Sequence, residues 1–162
     1  MFWENFRIAV TERIRYNTEE TINIGSGERI VNRQEAEQYL YYAMNIGELL
    51  LENGAEVGRV EDTVRRICLA GGAERADVFS ITSNMSASIY GKEFGSCTQT
   101  RRVMNTVNDF HKLEELNCLS RKICEEGMTF GEIEREIERI QKEQGYSFWW
   151  LVLDYALISG SF

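Results

Sequence analysis

Apolar residues recur at helical spacing over two stretches in the first half of the chain, alternate with polar residues over the next, and return to helical spacing afterwards. Ala36, Leu40, Ala43, Gly47, Leu50 and Gly54 share one face, widened by Tyr39, Ile46 and Leu49, so a buried helix is expected over 35–53. Gly54 stands where a left-handed C-terminal cap would sit. A second helix is expected from Gly58 to Ala70, with Val60, Val64, Ile67 and Cys68 inward and Arg59, Glu61, Asp62, Arg65 and Arg66 outward; Gly71 and Gly72 end it. The acids around Glu56, Glu61 and Asp62 lie at the corner between these helices, where they suit the positive end of the second one.

From Asp77 the period becomes two. Phe79, Ile81, Met85, Ala87 and Ile89 take the odd positions, while Ser80, Thr82, Asn84, Ser86 and Ser88 take the even ones, which predicts one strand with an apolar face and a hydroxyl face. Gly91 to Gly95 turn the chain into a second, more polar strand from Ser96 to Thr100, an antiparallel hairpin over about 77–103. A two-stranded hairpin alone is marginal, so further strands from 21–33 or pairing with another copy are expected. Asn105 or Thr106 would then cap a helix with Val107, Phe110, Leu113, Leu116 and Ile123 as its buried stripe. Thr129 and Glu132 have the spacing of a capping box, ahead of a short helix whose Ile133, Ile137 and Ile140 line one face. The fold class that follows is α+β, an antiparallel sheet or hairpin packed against several amphipathic helices.

The two ends read differently. Trp3, Phe6, Val10 and Ile14 recur at helical spacing in an amphipathic extension over 1–33, which either packs on the domain or lies on a membrane surface. The run from Tyr146 to Phe162 is nearly all apolar, though shorter than the ~20 residues a spanning helix needs. A helix docked on the core and the start of a membrane span are both open, and Asp154 would be costly in the second.

Composition narrows the classes. With 162 residues, 43% hydrophobic and 27% charged, the chain can bury one core, and a net charge of −8 argues against nucleic acid as a partner. No secretory signal opens the chain, and Cys68, Cys97, Cys118 and Cys124 form no C-x-x-C pair, which fits a reducing compartment. The single histidine, His111, leaves no nitrogen-rich metal site, and no motif calls for a cofactor.

Candidate chemistry is sparse. His111 with Ser86 or Ser88 is conceivable as base and nucleophile if the helix touches the hairpin, but no G-x-S-x-G elbow is present. The row of Thr82, Ser86, Ser88 and Thr98 is either the wet face of a sheet or a set of neutral donors and acceptors lining a small polar site. Arg101 or Arg102 would hold a carboxylate there, with Arg59 as a second anchor. Strand alternation sends the two adjacent arginines to opposite faces, Arg102 with the hydroxyls and Arg101 with Cys97 and Gln99. One of them should therefore sit in a buried ion pair worth ~3–5 kcal/mol if broken, while the other stays free for a ligand.

Several ordered blocks resemble one known family. The stretch from Gly47 to Thr63 (GELLLENGAEVGRVEDT), the serine-rich strand, Thr100 to Val103 (TRRV) and Asn108 to Leu113 (NDFHKL) are similar to the amino-terminal soluble domain of the threonine/serine exporter family, over roughly 34–162. The resemblance leaves the extension 1–33 outside it and implies two further parts, a soluble exporter-family domain over 34–145 and a truncated first transmembrane helix over 146–162. It also implies a domain on the cytoplasmic side of the cell membrane that serves export of threonine- or serine-like amino acids or a small dicarboxylate. Its partner would be a membrane-embedded portion or a second small membrane subunit, and a homo-oligomer is open. Likeness of the family domain to hydrolases keeps a small hydrolase-like enzyme using His111 as the alternative.

Overall fold

A computed structural model describes residues 31–142 as four helices and a three-stranded antiparallel sheet. The helices are α1 (Arg33–Glu52), α2 (Val57–Ala70), α3 (Phe110–Glu125) and α4 (Phe130–Lys142); the strands are β1 (Arg75–Ile81), β2 (Asn84–Gly91) and β3 (Gly95–Arg102), in the order β1-β2-β3. The expected α+β class is observed. The expectations for 1–30 and 143–162, including the amphipathic extension and the apolar run, lie outside the described residues.

Three layers build the body. The sheet lies on α1 and α2, with β1 against α2 and β3 against α1, and the other side of this helical pair is covered by α3 and α4. A helix in a middle layer needs apolar residues on more than one side, and α1 has them: Leu40, Met44, Ile46 and Leu50 are all buried. Gly47 lets α1 approach closely, since a Cβ there would come within 2.6 Å of Met85 Cε and 2.7 Å of Val64 Cγ2. Tyr39 and Tyr42 bring Phe130 onto the opposite side, with ring centroids 4.9 and 5.7 Å apart.

The helix ends follow local chemistry. Asn32 begins α1 with a capping box: its side chain accepts from the Glu35 N–H while Glu35 accepts from the Asn32 N–H. Gly54 follows α1 at φ +87°, a left-handed conformation that glycine adopts without strain. The expected box before α4 is present, with the Thr129 N–H donating to Glu132 at 2.9 Å, and Ile133, Ile137 and Ile140 are buried. At α2, however, Glu56 is the N-cap residue but makes no side-chain cap bond, and Asp62 pairs instead with Arg66 one turn on.

The sheet corrects the sequence reading in one specific way. The expected single strand from Asp77 folds back at Thr82-Ser83, so that Ile81 pairs with Asn84 and Phe79 with Ser86. Antiparallel partners share a face, and here each odd residue of β1 faces an even residue of β2. Phe79 and Ile81 therefore join the hydroxyl row and are 67% and 46% exposed, while Ser80 takes the buried side with Met85, Ala87 and Ile89. The sheet thus gains its third strand from within the described segment.

The helix after the sheet also begins later than its apolar spacing suggests. Asp109 is its cap, accepting from the Lys112 N–H at 3.1 Å, so Asn105 and Thr106 precede the helix and Val107 and Phe110 are exposed rather than part of the buried stripe. Leu116 and Ile123 are buried as expected.

Candidate functional site

The outer face of the sheet carries most of the candidate polar residues. Ser86, Ser88, Thr98, Thr100 and Arg102 point away from the helices, together with Phe79 and Ile81 on β1. Cross-strand hydroxyls already bond each other, Ser88 to Thr98 at 2.7 Å and Ser86 to Thr100 at 3.1 Å. Each hydroxyl still has capacity for a further partner. Arg102 sits exposed at the end of this row opposite Asn84, with no ion pair among the described residues. Thr82 is exposed at the tip of the adjoining hairpin.

Arg101 faces the other way. Its guanidinium is 3.2 Å from Glu48 on α1 and lies 5.0 Å from the ring centre of Tyr41, with side-chain exposures of 25% for Arg101 and 26% for Glu48. The alternation argument placed the two arginines on opposite faces, as observed. The pair is half-buried rather than buried, so its loss costs less than a fully desolvated pair would. Arg59 stands exposed in the first turn of α2, in the helical layer and apart from the hydroxyl row.

His111 is exposed on α3, whose packing partners are α1, α2 and α4. Ser86 and Ser88 lie on the far side of the sheet, so the layer formed by α1 and α2 stands between them and α3. The base–nucleophile pairing needs hydrogen-bond reach, and the layering does not bring these groups together. Burial pushes the Cys68 thiol up to about 12, which makes it an inert core group.

A cleft of about 310 Å³, which spacing alone did not suggest, opens where the end of α1 meets α3 and α4. The end of α1 contributes Leu49, Glu52 and Asn53, the segment before α3 contributes Asn105, Val107 and Asp109, α3 itself Lys112 and Leu116, and the last turn of α4 Ile140 and Gln141. Burial, with the Glu48 charge second, holds the Glu52 carboxyl above its ordinary range. Asn53 is buried and donates to the Leu49 carbonyl at 2.7 Å. The only foreshadowing in the sequence was that two of the resembling blocks, around Glu52 and around Asp109, converge here. No group of residues able to hold a metal occurs among the described residues.

Comparison with known proteins decides the kinship. The family model ThrE, described as "Putative threonine/serine exporter", matches residues 41–162. The chain belongs to the ThrE family. Its role is therefore exporter-related, in a membrane transport context with a small-molecule substrate. The match to ThrE runs through the whole described body from Tyr41 onward and on to Phe162. No helix among the described residues of this ThrE-family chain is long and apolar enough to cross a membrane. No curated protein and no solved structure matches the chain.

Proposed function

We propose that the described domain is the cytoplasmic part of a membrane exporter of small hydrophilic metabolites, and that it binds or gates rather than transforms its substrate. The observation that carries this reading is that one family match covers both the α+β body and the apolar run of 146–162, whose composition suits a membrane better than water. Threonine- or serine-like amino acids, or a small dicarboxylate, are the substrates, and the membrane-embedded portion or a second small membrane subunit is the partner. Reduced-looking cysteines support the cytoplasmic side: all four are free, and two of them are buried.

The outer sheet face suits binding better than catalysis. Neutral hydroxyls orient a polar ligand by hydrogen bonds, and Arg102 offers a bidentate partner to a carboxylate, whereas the carboxylate of that face, Asp77 opposite Ser88, is held in an ion pair with Arg75. Whole-cell efflux of threonine, serine and succinate from cells carrying or lacking the full-length protein tests the reading. Efflux of at least one of the three is expected to fall when the protein is removed and to fall again in part with Arg102→Ala. Unchanged efflux of all three would remove the exporter assignment, and hydrolysis by the purified protein that is lost in His111→Ala would replace it with an enzyme.

A further inference from the structure

Three of the four most exposed large apolar side chains among the described residues fall between 104 and 110: Met104 at 70%, Val107 at 65% and Phe110 at 78%. Their exposure does not come from a loose connection. Val103 is buried and donates to the Ser83 carbonyl, the Val107 N–H donates to the Glu52 carbonyl, and Asp109 caps α3. Asn108 packs so closely on Gly54 that a Cβ there would collide with its side-chain oxygen. A segment pinned at these points and still directing three apolar side chains outward has its exposure fixed by the fold.

The place of the patch indicates what covers it. Val107 shares the cleft with Ile140 and Gln141 of the last turn of α4, and α4 ends at Lys142, four residues before the apolar run that begins at Tyr146. Val107, with Met104 and Phe110 each three residues from it along the chain, therefore lies at the end of the body from which the chain leaves toward its most apolar sequence.

We infer that Met104, Val107 and Phe110 form a lipid-contacting edge that seats the domain on the bilayer interface beside the segment 146–162. This rests on the exporter reading, in which that segment enters the membrane. Its chemistry is apolar insertion, because the one cation lining the adjoining cleft, Lys112, is outnumbered there by Glu52 and Asp109, and a net charge of −8 gives anionic headgroups little to attract. The contact should accordingly form on neutral phosphatidylcholine and be insensitive to salt.

Nitroxide accessibility in the full chain reconstituted into phosphatidylcholine vesicles tests it. With exposed Cys118 replaced by serine, single labels are placed at Met104→Cys, Val107→Cys, Phe110→Cys, Phe79→Cys as an aqueous control, and Leu153→Cys within the apolar run. The expected result is oxygen-favoured, lipid-like access at 104, 107, 110 and 153, with water-like access at 79. Lipid-like access at 153 with water-like access at 104, 107 and 110 would overturn the inference and leave the exporter reading standing. Protection of the patch from both oxygen and the aqueous reagent would overturn it in favour of a protein contact. Water-like access at 153 and at the patch together would remove both readings.

Discussion

The two faces of the sheet are built from the same three strands yet differ in what a substitution can reach. On the inner face Met85, Ala87, Ile89 and Cys97 are buried against α1 and α2, so every atom has a neighbour and volume is conserved. On the outer face Phe79, Ile81 and the hydroxyl row meet solvent, and their contacts run mainly from strand to strand. The inner face therefore carries the stability of the domain, while the outer face is free of that packing constraint.

Ile89 against Phe79 should give the widest split. Ile89→Ala removes a side chain that is 1% exposed and is expected to lower stability by about 2–5 kcal/mol, whereas Phe79→Ala should stay within about 0.5 kcal/mol. Urea unfolding midpoints compare them, and equal losses would mean that the outer face is covered in the folded protein. Gly47→Leu tests the inner face from the helix side. Met85 Cε can swing away from an added side chain but Val64 Cγ2 cannot, so a loss of about 1–3 kcal/mol is expected from the same unfolding curves.

Arg101 and Arg102 sharpen the comparison at adjacent positions. Arg101→Ala breaks a half-buried pair with Glu48 and uncovers Tyr41, for an expected cost of about 1–2 kcal/mol, while Arg102→Ala should leave the melt unchanged and reduce efflux. Matching melts and matching efflux in the two variants would dissolve the distinction between the faces. The smallest perturbation is chemical. Burial and then the nearby Glu37 carboxylate hold the Cys97 thiol above its ordinary range, so at neutral pH it should react with a maleimide about tenfold more slowly than the thiol introduced by Thr98→Cys on the outer face. Raising the pH through the Cys97 value ionises that thiol and should narrow the gap, as stopped-flow labelling of the two proteins would reveal.

How much of this was legible before the fold was known depends on whether the deciding information is local. The glycine after α1, the box before α4 and the isoleucine stripe of α4 are set within a few residues, and the sequence states them directly, whereas the Asn32 cap of α1 emerged only with the fold. The Thr82-Ser83 turn was not legible. No non-glycine residue in the described chain has a positive φ, so this hairpin turns without the Asn-Gly type of signal, and the two-residue alternation runs through it unbroken. Turning an alternating run back on itself across two residues exchanges odd for even, which is why Phe79 and Ile81 were assigned to the wrong side. The opposite side of Arg102 from Arg101 was legible because β3 contains no such break. The cleft was not, because Glu52, Lys112 and Ile140 meet only through the packing of three helices.

One contact at the margin of the sheet sets a limit on assembly. The Ser80 N–H donates 2.7 Å to the Glu61 carboxylate, so α2 occupies a position on the free side of β1 where another strand would dock. The edge of β1 is thereby stoppered at this point, and β3 is the other edge of the sheet. If two copies join β3 to β3, each presents a stoppered β1 outward and the association terminates at a pair. A single carboxylate on a neighbouring helix thus does for this strand what a further strand would otherwise do, and leaves it one donor fewer to offer a second copy.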